Sequence, residues 1–168
     1  YKKRCEVKGL IGIPTGIDKL DEITNGWLWG EELVVITGRT NVGKTWIGEY
    51  FATVAWNMGY KILFYSGEMS REMVGFRFDT LNKHFSNMGL LNGAGTLGKK
   101  PDTDGGKYLE EDYENYINQL SQKSGFIVVT PDDFEGRKPN ADELKSLALK
   151  HEADMIVVDQ LSLMSDKR

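Results

Sequence analysis

Cysteine is almost missing from this chain. Cys5 is its one example in 168 residues, so no internal disulfide can form, and a reducing compartment is the expected home. Histidine is scarce too: His84 and His151 are the two present. Neither has a partner at metal-ligand spacing. No apolar run approaches the roughly 18 residues a membrane span needs, and no signal-peptide pattern opens the chain. An excess of positive charge is also lacking. Lys and Arg total 21 against 25 Asp and Glu, a net charge of −4. That balance argues against a basic nucleic-acid-binding surface over the whole chain, while leaving room for local phosphate contacts. Lys2-Lys3-Arg4 is too short for a targeting or DNA-binding element and reads as a solvated tail. The chain starts at Tyr1 rather than Met. It is therefore expected to be a piece of a longer, cytoplasmic protein, with length enough for one compact α/β domain.

What is abundant is glycine, and one cluster carries chemistry. Gly38-Arg39-Thr40-Asn41-Val42-Gly43-Lys44-Thr45 is a complete G-x-x-x-x-G-K-[ST] loop. The apolar run Leu33-Val34-Val35-Ile36 precedes it and reads as a buried strand. Trp46 to Met58 follows and reads as a helix. Strand, glycine-rich loop and helix are the context in which this pattern binds nucleotide phosphates. Backbone N–H groups face the phosphate oxygens, and the helix N-terminus adds the positive end of its dipole. Lys44 is expected to reach the β- and γ-phosphates of ATP, and the Thr45 hydroxyl to ligate Mg²⁺. Arg39 either adds positive charge there or points outward.

The remaining chain alternates strands and helices. Residues 1–30 read as a lead-in with a short helix after Gly12-Ile13-Pro14-Thr15-Gly16. Thr15 is expected to cap that helix in a box with Asp18, with Ile17, Leu20 and Ile23 inward. Residues 31–168 read as the nucleotide-binding core. Along its first helix Ile47, Phe51, Val54, Ala55 and Met58 recur at helical spacing. Lys61–Tyr65 is a second strand. Ser70 caps a helix to about Lys83 with Met73, Phe76, Thr80 and Leu81 inward. The glycine-rich stretch at about 86–107 reads as a flexible surface loop. A helix over Tyr108–Gln122 follows, with Tyr113, Tyr116, Ile117 and Leu120 inward and its acids on a solvated face. Phe126–Val129 is a third strand, Asn140 caps a helix in a box with Glu143, and Met155–Val158 is a fourth strand. This order predicts a mostly parallel sheet with helices on both faces. In such sheets ligands sit beyond the carboxyl ends of the strands.

Two acids stand at such ends. Asp159 follows Met155–Val158, where a hard oxygen can hold Mg²⁺ beside the loop hydroxyl. Glu68 follows the second strand in Ser66-Gly67-Glu68-Met69-Ser70. It can orient and deprotonate an attacking water, or serve as an acid favoured near a helix N-terminus. Spacing alone leaves these two roles open. Asp132 and Asp133 also follow a strand, but Pro131 beside them points to a turn. Trp27 and Trp29 flank a turn and suit packing better than base stacking.

With these residues placed, the chain resembles the C-terminal RecA-type ATPase domain of the DnaB-like replicative DNA helicase family. The likeness rests on Gly12-Ile13-Pro14-Thr15-Gly16 with Leu20-Asp21, on the phosphate loop with Arg39, on Glu68-Met69-Ser70, and on Asp159-Gln160-Leu161-Ser162-Leu163-Met164. It implies a RecA-like P-loop NTPase core, one partial domain cut off after the Walker B strand that ends at Asp159. It implies that Glu68 and Lys44 are catalytic, that Gly38 to Thr45 bind ATP, and that Thr45 and Asp159 hold Mg²⁺. It further implies a homo-hexameric ring moving on single-stranded DNA, with primase and a helicase loader as candidate partners. Gln160, where bacterial members usually carry Tyr, and the long glycine-rich loop suggest a phage or prophage version. The family's arginine finger and DNA-contacting loops lie past the last residue here, so the isolated piece is expected to be weakly active or inactive.

Two other readings share these features. One is a RecA- or RadA-like recombinase or a related clock-type ATPase on the same fold. The other is a nucleotide-binding assembly module without turnover.

Overall fold

The computed structural model describes residues 10–28, 30, 32–92, 105–123 and 125–166. Helix α1 spans Asp18–Thr24 and α2 spans Lys44–Asn57. Strand β1 (Ile62–Ser66) leads to α3 (Arg71–Lys83), a short α4 (Asn87–Asn92) and α5 (Gly105–Leu120). Then come β2 (Phe126–Val129), a 3₁₀ turn at Pro131–Phe134, α6 (Ala141–His151), β3 (Met155–Asp159) and a last 3₁₀ turn at Leu161–Leu163.

The three strands form one parallel sheet in the order β2-β1-β3. Central β1 is buried along its whole length, and its side chains alternate between two cores, as the pleat of a strand requires. Ile62 and Phe64 pack with Ala52, Ala55 and Trp56 of α2 and with Val74 and Phe78 of α3. Leu63 and Tyr65 pack on the opposite face with Val129, Phe134, Leu144 and Ala148. Helices therefore cover both faces, as the alternation predicts. Each such side chain, fully buried, contributes roughly 1.5–3 kcal/mol of transfer free energy.

The local signals that mattered are visible in the chain. Ser70 Oγ accepts from Met73 N at 3.3 Å and starts α3. Asn140 Oδ1 accepts from Glu143 N at 3.0 Å, while Glu143 accepts from Asn140 N at 2.9 Å. That reciprocal box starts α6. Asp154 accepts from Lys61 N at 2.8 Å and ties the start of β3 to the start of β1.

Several expectations are corrected. Leu33–Ile36 forms no strand: Leu33 is 90% exposed and its three neighbours are also exposed. Among the described residues no strand edge pairs with this run, and hydrophobicity alone does not satisfy a strand's backbone. Thr15 and Asp18 form no capping box. Ile17 occupies the cap position of α1, and Asp21 instead accepts from the backbone N–H groups of Thr15 at 2.7 Å and Gly16 at 3.2 Å. Ile17 and Ile23 are exposed because α1 is only two turns long and turns buried Asp21 inward. Met58 is exposed, since it lies just past the end of α2. On α3 the buried positions are Val74, Phe78 and Asp79 rather than the stripe of Met73, Phe76, Thr80 and Leu81. The inner face is rotated because Asp79 is drawn in by Tyr113, whose hydroxyl donates to it at 2.7 Å. On α5 Tyr116 is buried while Ile117 is exposed. The stretch at 86–107 is not all loop: α4 occupies Asn87–Asn92 and α5 begins at Gly105, before the expected Tyr108. Residues 93–104 and Trp29 lie outside the described residues.

Candidate nucleotide site

The phosphate loop curls between the exposed 32–37 segment and α2. Asn41 and Gly43 both take left-handed backbone, with φ of 61° and 90°. Asn tolerates that region and Gly adopts it freely. Gly43 then stands as the N-cap of α2 with no side chain of its own. The first N–H groups of a helix lack intrahelical partners, so this end offers donors and a positive dipole to an anion. Arg39, Thr40, Asn41 and Val42 are exposed. Lys44 Nζ folds back to donate to the Arg39 carbonyl at 2.7 Å.

Thr45 is the second residue of α2, and its hydroxyl donates to Asp159 Oδ1 at 3.1 Å. Asp159 is the last residue of β3 and lies directly opposite Ser66 in the register of β1. The Asp159 carbonyl also accepts from Gly67 N at 2.7 Å. Glu68 is the next residue. Its turn is closed by Ser66, whose Oγ accepts from Met69 N and donates to Met69 O, both at 3.0 Å. Two neighbouring parallel strands thus carry Asp159 and Glu68 to the same end of the sheet, beside the loop.

The charges feel one another. Burial raises the Asp159 carboxyl above its ordinary value, and the nearby Glu68 charge adds to the rise. The Thr45 hydroxyl, Arg77 and Lys44 oppose it. A cation placed between Thr45 and Asp159 would relieve this crowding. The pair offers two hard oxygens, the donor type Mg²⁺ selects, and phosphate oxygens with waters ordinarily complete such a site. The residues present therefore fit a Mg²⁺-nucleotide.

The sequence-predicted residues do not all converge. Lys44, Thr45, Asp159 and Glu68 come together, while Thr40 and Val42 sit on the exposed rim. Asp133 is used elsewhere, accepting from Thr130 N at 2.8 Å and pairing with Arg71. Trp27 packs edge-on against Phe51, with ring centroids 4.7 Å apart. His84 ends α3 in left-handed backbone, and His151 is exposed in the last turn of α6. Two residues near the site were not anticipated, Glu49 and Arg77. A signal for Glu49 existed: it lies three and seven positions before Ala52 and Trp56, on the apolar stripe of α2.

No helix among the described residues is long and apolar enough to cross a membrane. A family model described as DnaB-like helicase C terminal domain matches residues 12–168. The chain is 30% identical over 159 residues to a probable replicative DNA helicase of Trieres chinensis, covering 92% of this chain and 32% of that protein. It is 27% identical over 158 residues to the replicative DNA helicase DnaB of Rhodothermus marinus, covering 93% and 15%. It is 26% identical over 189 residues to that of Geobacillus stearothermophilus, covering 95% and 41%. The chain thus spans less than half the length of each of these relatives.

Proposed function

This chain belongs to the DnaB-like helicase C-terminal domain family, and on that premise we propose that it is the ATP-binding and hydrolysing core of a replicative DNA helicase. The observation that carries the reading is the contact of Thr45 with Asp159 at 3.1 Å. It brings the end of the phosphate loop to the acid-bearing end of the sheet, where Glu68 lies two residues beyond Ser66, the strand partner of Asp159.

In this reading Gly38 to Thr45 cradle the phosphates, with Gly43 giving the backbone its left-handed turn. Lys44 leaves the Arg39 carbonyl and neutralises the β- and γ-phosphates. Thr45 and Asp159 would hold Mg²⁺, which would offset charge on the phosphate oxygens. Glu68 acts as the base that orients and deprotonates water. Its exposure on a turn fixed by Ser66 leaves it reachable by solvent. The wider assembly belongs to the proposal too: a cytoplasmic homo-hexamer translocating on single-stranded DNA, with primase and a loader as partners. Charge stabilisation by an arginine from a neighbouring subunit is worth about 10³–10⁵ in rate in related phosphoryl transfer, so the chain alone should turn over slowly. With its net charge of −4, it should also bind DNA poorly at physiological salt.

The test is ATP hydrolysis by the full-length protein, with and without single-stranded DNA, beside its Glu68→Gln variant. DNA-stimulated turnover that disappears in the variant, with nucleotide binding retained, is the expected result. Turnover indifferent to DNA would favour a recombinase-like or clock-type ATPase. Nucleotide binding without any turnover would favour an assembly module.

A further inference from the structure

Two acids follow β2, Asp132 and Asp133, and neither has a part in the chemistry proposed above. One of them nevertheless reaches the turn that carries Glu68. Asp133 lies in the 3₁₀ turn Pro131–Phe134, and that turn is firmly held. Phe134 is buried in one cluster with Leu63 and Tyr65 of β1. Asp133 N donates to the Thr130 carbonyl at 3.1 Å, and Asp133 Oδ2 accepts from Thr130 N at 2.8 Å. The other carboxylate oxygen, Oδ1, accepts from Nη2 of Arg71. Arg71 is the first residue of α3, directly after the cap Ser70 and three positions after Glu68.

Glu68 thus stands between two braces. On one side Gly67 N donates to the Asp159 carbonyl at 2.7 Å and ties the turn to β3. On the other side the pair of Arg71 with Asp133 ties it to the turn after β2. Strand β1, which delivers Glu68, lies between those two strands. Among the described residues no other hydrogen bond joins residues 67–71 to β2 or to the turn that follows it. The bonds between Ser66 and Met69 close the Glu68 turn on itself. They set its shape and leave its tilt across the sheet to the two braces. Both members of the ion pair are partly exposed, and exposed pairs contribute little to stability. Direction is what the pair supplies: a charge-assisted bond from a planar guanidinium is strongly oriented. A base needs that precision, because it must keep a water within hydrogen-bond reach.

We propose that Arg71 and Asp133 are positioning residues for the hydrolytic step. They act through the turn, setting where Glu68 stands over the end of the sheet, and they make no contact with the nucleotide. This rests on the reading that Glu68 is the base. The rival account is an ion pair that serves the fold alone.

Three measurements on the full-length protein separate the two: kcat for ATP, affinity for fluorescent ribose-labelled ADP with Mg²⁺, and thermal unfolding. The variants are Arg71→Met, Arg71→Lys, Asp133→Asn, the Arg71→Met/Asp133→Asn pair, Asp132→Asn and Glu68→Gln. Arg71→Met should lower kcat about tenfold, part of the roughly hundredfold that a 1 Å misplacement can cost, and leave ADP affinity unchanged. Asp133→Asn should lower it less, since its amide oxygen can still accept. The double variant should be no slower than Arg71→Met, because both changes break one contact. Arg71→Lys should recover part of the rate, and Asp132→Asn, which removes a neighbouring charge but no bond, should be normal. A lower melting temperature with an unmoved kcat overturns the proposal. So do additive losses in the double variant, and so does a kcat loss matched by an equal loss of ADP affinity. If Asp133→Asn does not fold, Arg71→Met, which alters a partly exposed helix position, decides by the same readouts. Turnover that survives Glu68→Gln overturns the reading of Glu68 along with the proposal. Turnover abolished by Glu68→Gln but unmoved in the Arg71 variants overturns the proposal alone.

Discussion

The Thr45 hydroxyl donates to Asp159 Oδ1 across 3.1 Å, joining residues 114 positions apart in the chain. The bond spans the join between α2 and β3. Asp159→Asn keeps the shape of the side chain and removes its charge. It should weaken Mg²⁺-dependent nucleotide binding on the order of ten- to a hundredfold, the usual scale for disturbing groups around a metal. Binding in EDTA should hardly change. Isothermal titration in both conditions checks this, and an equal loss in EDTA would deny Asp159 a metal role.

Glu49 predicts an unusual pH dependence. Its carboxyl is raised from 4.5 to about 8 in the folded chain, chiefly by burial. Between those values the folded chain keeps a proton that the unfolded chain has lost. Stability should therefore fall as pH rises through this window and level off above it, by an amount on the order of a few kcal/mol. Glu49→Gln should flatten the slope and raise the melting temperature at pH 8. Thermal melts at pH 5, 6.5 and 8 read this out, and parallel slopes in both proteins would refute it.

Gly67 sits between Ser66 and Glu68 with no room for a side chain. A Cβ there would lie 2.8 Å from both Cβ and Cδ1 of Leu163. Gly67→Ala should displace the Leu161–Leu163 turn or the Glu68 turn, at a cost of about 1–3 kcal/mol from overpacking. Leu163→Gly in the same chain, which removes both contacting atoms, should recover part of that loss, and Leu163→Ala less, since its Cβ remains. Urea unfolding of the single and double variants measures the coupling, and additive effects would mean the two residues do not meet.

The start of α6 offers a simpler test. Asn140 and Glu143 bond reciprocally, and Asn140→Ala should destabilise the chain by about 1 kcal/mol. Denaturant melts report it directly. A change within error would show that Glu143 and its Arg137 partner, 2.5 Å away at the nearer pair of atoms, start the helix unaided.

Much of the site was legible in the chain because each part depends on short-range chemistry. Gly38 to Thr45 is a contiguous motif, and Asp159 ends an apolar run. Asn140 with Glu143, and Ser70 before Met73, are caps written in four residues. The rest depends on partners that spacing does not reveal. Leu33–Ile36 is apolar enough for a strand, yet an apolar run says how much surface seeks cover, not which edge supplies hydrogen bonds. Asp79 turned α3 because Tyr113, 34 residues onward, claims its carboxylate. Asp21 displaced Asp18 because a loop two residues before α1 needed an acceptor for two N–H groups. Arg77 is silent in sequence, since the Trp46 ring it lies against belongs to another helix.

The sheet places the candidate base at the end of its most buried strand. All of β1 is shielded from water and Ile62–Tyr65 are paired on both sides, so Glu68 stands just beyond a strand that opens only when much of the molecule opens. The phosphate loop has the opposite upbringing: the segment leading into it, residues 32–42, is exposed throughout. One half of the pocket is a fixed jaw and the other a compliant one. Slow amide exchange along β1 beside fast exchange through the loop would be the signature, and a nucleotide would then be gripped by the soft side yielding to the hard one.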